Sequence, residues 1–125
     1  KVGILGVAYA PDLKVHVLSP ALSIVKHLKA QGIQVKVNDP YYSSNELKKI
    51  TGAETFSFPD ELNQFDTVLI VSGHSKYRYT NHEHIKRNLK KCKLILDNAG
   101  IWRNINFGPI KYHEAGSKDW LVLEN

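Results

Sequence analysis

A chain of 125 residues, 42% hydrophobic and 23% charged, has the size and makeup of one soluble globular domain that folds without disulfide or metal staples. No run approaches the ~18 apolar residues of a membrane span, and no charged-then-apolar leader opens the chain. The lone Cys92 cannot pair within the chain, so a reducing, cytoplasmic setting is expected.

Lys and Arg exceed Asp and Glu by 17 to 12, and the net charge of +5 favours an anionic partner. The basic cluster Lys86, Arg87, Lys90, Lys91 and Lys93 carries no interleaved aromatics, so no nucleic acid is expected. There is no methionine, and Lys1 leads straight into an apolar run. Both features predict a domain cut from a longer protein, with 1–125 as a single unit.

Val2-Gly3-Ile4-Leu5-Gly6 reads as a buried parallel strand stopped by glycine. After a loop over 7–18, Ser19 is a helix N-cap and Pro20 suits the first helical position. Ala21, Ile24, Val25 and Leu28 form one apolar stripe, and Gly32 supplies the left-handed stop. Ile33, Val35 and Val37 alternate with polar residues in a second strand ending at Asp39-Pro40. Ser43 and Glu46 open a short helix that Gly52 closes, and 54–56 is a brief strand. A helical turn starts at 59–62, and Thr67-Val68-Leu69-Ile70-Val71 is the central strand. Thr80 and Glu83 predict a second capping box ahead of a basic helix carrying Ile85 and Leu89. Leu94-Ile95-Leu96 is a strand, and 111–113 and 120–123 are candidate edge strands. Alternating strands and helices predict the α/β class, a three-layer α/β/α domain with a mostly parallel sheet.

In such a sheet, ligands bind outside the carboxyl ends of the strands, here segments 6–19, 38–44, 72–80 and 97–104. Gly3 and Gly6 begin a dinucleotide fingerprint, but Val7, Ala8, Tyr9 and Ala10 follow, and the helix starts only after Ser19. Asp39 is either a ribose-binding acid or an Asp-Pro strand terminator. Gly73-His74-Ser75-Lys76-Tyr77-Arg78-Tyr79 either grips a phosphate or sugar or is a solvated loop with a half-buried tyrosine. Trp102 and Arg103 either stack on and pair with a nucleotide, or Trp102 is core. His82, His84 and Cys92 lack metal spacing, so no metal is expected. Cys92 reads as an inert residue at a strand start, and no catalytic residue is assigned.

Four segments in order, Val2 to Tyr9, Ser19-Pro20-Ala21, Val37-Asn38-Asp39-Pro40-Tyr41 and Ser72-Gly73-His74-Ser75-Lys76-Tyr77, resemble the C-terminal domain of UDP-glucose/GDP-mannose dehydrogenases. Leu96-Asp97-Asn98-Ala99-Gly100-Ile101-Trp102-Arg103 is similar to the UDP-N-acetylmannosamine dehydrogenase branch. The resemblance implies a Rossmann-like domain that binds the nucleotide part of a UDP-sugar, with Tyr9, His74 and Tyr77 carried over as substrate-binding residues. Arg103 is added to them from its position on the last loop.

It further implies an N-terminal domain of the same chain that binds NAD and supplies a catalytic cysteine and lysine, in a homodimeric enzyme. That enzyme oxidises the sugar C6 alcohol to a uronate for polysaccharide precursors. The isolated domain would be inactive. Two cations of the family pattern are replaced by Ala10 and Ala99, leaving Lys14, Lys76 or Arg103 to compensate. The alternative is a degenerate, non-catalytic interaction or dimerisation domain.

Overall fold

Val2, Gly3, Ile4 and Leu5 form a strand, β1 (Val2–Leu5), and everything that positions the site is arranged around it. The computed structural model describes residues 1–115. In chain order the other elements are α1 (Pro20–Ala30), β2 (Val35–Asn38), α2 (Ser44–Thr51), β3 (Glu54–Thr55) and a 3-10 turn (Leu62–Gln64). Then come β4 (Thr67–Ile70), α3 (Ser75–Tyr79), α4 (His82–Arg87), β5 (Leu94–Asp97) and β6 (Lys111–Glu114).

The strands lie in the order β3-β2-β1-β4-β5-β6, and every pairing is parallel. Val2 sits opposite Val35 on one side and Thr67 on the other. Neighbouring residues of β1 point to opposite faces, so Ile4 joins one core and Leu5 the other. On the first face, Ile4, Val37 and Val7 pack under Ala21 and Val25 of α1 and Leu47 of α2. On the second, Leu5, Val68, Ile70 and Ile95 pack against Phe65, Tyr77, Ile85 and Trp102. Gly3 makes room for that layer, since a Cβ there would stand 2.6 Å from the Phe65 ring.

The helix ends follow the local chemistry. Ser19 Oγ accepts the Ala21 N–H, Ser43 Oγ accepts the Glu46 N–H, and Gly52 closes α2 in the left-handed conformation.

Three expectations need correction. Ile33 lies outside β2, because its N–H turns back to the Leu28 carbonyl in the closing turn of α1. The stretch over 72–80 is not a loop throughout, because 75–79 coil into α3 and bury Tyr77 completely. That helix moves the next cap. Thr80 ends α3 with its hydroxyl donating to the Lys76 carbonyl, and Asn81 caps α4 by accepting the His84 N–H at 3.0 Å. The edge strand expected at 111–113 is present as β6, and 120–123 lies outside the described residues. Among the described residues no helix is long and apolar enough to cross a membrane.

Candidate functional site

The strand order reverses between β1 and β4, and the loops after β1, β2 and β4 meet above that point. They meet on Asp39. Its buried carboxylate accepts the Val7 N–H at 2.8 Å, the Ala8 N–H at 2.9 Å and the Tyr41 N–H at 2.9 Å. His74 Nε2 adds a fourth bond at 2.8 Å. Burial alone would push this carboxyl up, yet the four hydrogen bonds outweigh it and hold Asp39 below the usual carboxylate range. Asp39 is therefore a structural hub turned inward, and neither a ribose ligand nor a simple strand terminator describes it.

The loop after β1 is tied down at further points. The Asp12 N–H donates to His74 Nδ1 at 2.8 Å, so that nitrogen carries no proton and Nε2 holds the proton facing Asp39. The Asp12 carboxylate accepts the Ser75 N–H at 2.8 Å, the Ser75 hydroxyl at 2.6 Å and the Tyr41 hydroxyl at 3.1 Å. The Ser75 bonds chiefly hold its carboxyl below the usual range. Gly6 has φ +95°, and a Cβ there would stand 2.6 Å from Ser72, whose hydroxyl donates to the Ala8 carbonyl. Only glycine fits where these two loops touch.

A second hub follows β5. Asp97 accepts the Ala99, Gly100 and Trp102 N–H groups at 3.0, 2.7 and 2.9 Å and the Tyr112 hydroxyl at 2.6 Å. Burial, with the Asp97 carboxylate beside it, pushes the Tyr112 phenol well up. Trp102 is fully buried, and its indole N–H donates to the Tyr77 carbonyl at 2.9 Å, which settles it as core.

The four residues singled out by sequence fall into two groups. Tyr9 stands 58% exposed on the loop after β1, beside exposed Leu13, Val15, Val17 and Leu18. Arg103 is on the loop after β5 with its side chain 57% exposed, and it bridges Glu114 at 2.7 Å. His74 and Tyr77 lie fully buried beneath the rim. The Tyr77 hydroxyl donates into Asn38, 2.7 Å from its side-chain oxygen, and burial pushes the phenol well above its ordinary value.

Of the candidate compensating cations, Lys14 pairs with Glu46 at 2.8 Å and lies over the Tyr42 ring, and Lys76 is exposed. Sequence reasoning missed Asp12 and Ser72, and neither carries a local signal, because the partners of their side chains lie 29 to 64 positions away. Cys92 is buried and its thiol is pushed up by burial, so the flanking lysines do not make it a thiolate. Among the described residues no group of three or more His, Cys, Asp or Glu could hold a metal ion.

The carboxylates give a pH prediction. Asp12, Asp39 and Glu46 are all held below their ordinary values in the fold. Below about pH 4 the unfolded chain takes up protons that the native state resists, so stability present above that pH is lost as pH falls further. Urea midpoints measured from pH 6 to pH 2.5 should drop below about pH 4. A midpoint unchanged down to pH 3 would contradict this.

An all-parallel sheet in this order, with its loops gathered where the order reverses, defines a Rossmann-like α/β domain. Residues 3–104 match the model of the UDP-glucose/GDP-mannose dehydrogenase family, UDP binding domain, and the chain belongs to that family. It is 26% identical to a UDP-N-acetyl-D-mannosamine dehydrogenase of Methanococcus aeolicus over 98% of this chain and 28% of that protein. It is 31% identical to Protein CapL of Staphylococcus aureus over 80% of this chain and 23% of that protein.

Among solved structures, the UDP-N-acetyl-mannosamine dehydrogenase Cap5O from S. aureus superposes with a TM-score of 0.69 at 23% identity, over 92% of this chain and 26% of that one. A UDP-glucose dehydrogenase from Pyrobaculum islandicum gives 0.63 at 21% identity, over 88% and 25%. These two likenesses show a shared fold. The chain thus spans about a quarter of the length of the proteins it matches.

Proposed function

We propose that this chain binds the nucleotide part of a UDP-sugar along the carboxyl rim of its sheet, as one half of a cleft. The observation that carries the reading is the exposed Tyr9 ring, presented at the β1/β4 switch point by a loop locked to Asp39, in a chain of the UDP-binding-domain family. Tyr9 offers a flat face to base or sugar. Exposed Lys76 supplies positive charge at the same edge, and Arg103, exposed on the loop after β5, is already paired with Glu114.

The residues here do not fit NAD. The Val7 and Ala8 amides, which a dinucleotide loop would turn towards a pyrophosphate, both donate to Asp39, and α1 begins only at Pro20. NAD is accordingly assigned to a separate N-terminal domain of the complete, homodimeric protein. Bound there, it would supply hydride-accepting chemistry for oxidation of a sugar alcohol to a carboxylate.

Calorimetry of the full-length protein with UDP-sugars and GDP-sugars tests the reading, and heat is expected with UDP-sugars. Tyr9→Ala should weaken that binding roughly tenfold, the scale of one lost stacking contact, without moving the thermal midpoint. Unchanged affinity would remove Tyr9 from the site.

A second reading draws on the exposed Leu13, Val15, Val17 and Leu18 and on alanine at positions 10 and 99. In it the rim is a protein-interaction surface. Absence of heat with every nucleotide sugar would favour it.

A further inference from the structure

One side chain joins the three loops of the rim. His74 is fully buried where the loop after β1, the end of β2 and the start of α3 meet. Its Nε2–H donates to Asp39, and its Nδ1 accepts the Asp12 N–H, both at 2.8 Å. From behind, its own N–H donates to the Ser72 carbonyl at 2.9 Å, and its carbonyl accepts the Tyr77 N–H at 3.0 Å. The rings of Tyr41 and Tyr77 pack at centroid distances of 4.9 and 5.7 Å. The imidazole is thus gripped on both nitrogens and has no open face for a ligand.

Asp12 needs that grip. Its φ is +59°, a left-handed conformation in which Cβ crowds the backbone; Asp tolerates it better than most residues, and the surrounding hydrogen bonds hold it there. Two residues separate Asp12 from Tyr9, and one of them, Pro11, has a fixed φ. Asp12 therefore helps fix the loop that carries Tyr9, together with the Tyr9 N–H bond to the Val15 carbonyl.

We propose that His74 is the positioning residue of the ligand rim, its Nε2–H tautomer bridging Asp39 to the Asp12 amide so that the loop presenting Tyr9 keeps one conformation. The ligand side of this inference rests on the nucleotide-sugar reading of the rim. It replaces direct ligand contact with action through Asp12.

Two substitutions separate the two bonds. Asparagine places an amide oxygen where Nδ1 lies and retains the Asp12 link, whereas glutamine places an amide nitrogen where Nε2 lies and retains the Asp39 link. In the 125-residue chain, hydrogen exchange of the Asp12 amide should stay slow in His74→Asn and speed up about tenfold or more in His74→Gln. UDP-sugar affinity of the full-length protein should weaken about tenfold for His74→Gln and by clearly less for His74→Asn, which keeps the Asp12 link. A purely structural role would not order the two variants this way.

Equal exchange in both variants overturns the proposal, and so does wild-type affinity in a His74→Gln protein whose Asp12 amide has been freed. If wild type binds no UDP-sugar, the functional reading fails, while the exchange comparison still decides whether His74 holds the loop. Should neither variant fold, imidazole nitrogen shifts of the wild type decide. An Nε2–H tautomer supports the bridge, and an Nδ1–H tautomer overturns it.

Discussion

Asp39→Ala is expected to destabilise the chain by about 3–5 kcal/mol, the scale for removing one partner of a buried charged network. The carboxylate is buried, and its loss strands three backbone N–H groups and His74 Nε2 without an acceptor. Asp39→Asn keeps one acceptor oxygen but turns an NH2 group towards donors, so it should be milder though still damaging. Urea unfolding at pH 7 measures both. A loss below about 1 kcal/mol for the alanine variant would mean the loops after β1, β2 and β4 hold together without their hub.

Trp102→Ala should be comparably severe, at about 3–5 kcal/mol for an aromatic removed from a packed interior. The indole lies 6.4 Å from the Phe58 ring and 5.8 Å from the Phe107 ring, centroid to centroid. Its N–H is also the partner of the Tyr77 carbonyl. Trp102→Phe should recover most of the packing while leaving that carbonyl without its donor, for a loss of about 1–2 kcal/mol. Equal losses in the two variants would show that the hydrogen bond, and not the volume, dominates.

Local signals in the sequence were read correctly where one segment contains its own cause. Ser19-Pro20 starts a helix, Gly52 ends one, and 67–70 is a strand at the middle of the sheet because its composition allows little else. The ordered motifs also pointed to the right family. What stayed hidden was long-range. Nothing around His74 shows that its partners are Asp12 and Asp39, 62 and 35 positions away, so the pattern alone does not reveal that both ring nitrogens are engaged inside the fold. The same holds for Tyr77, whose hydroxyl is bonded to Asn38, 39 positions away. The Thr80-to-Glu83 spacing predicts a cap that Asn81 takes instead, because the five-residue helix just before it is too short a pattern to show periodicity.

The place of β1 in the sheet bears on biogenesis. β1 is flanked on both sides by strands that follow it in sequence, and its second neighbour is about 65 positions downstream. Residues up to about 55 can assemble one layer around Val25 and Val37 as they emerge, but the layer that covers Leu5 is drawn wholly from Phe56 onward and is complete only after Val68, Ile70 and Ile95 arrive. A nascent chain halted before β4 would therefore display one bare apolar side, the kind of surface that chaperones recognise and that aggregates if release is delayed.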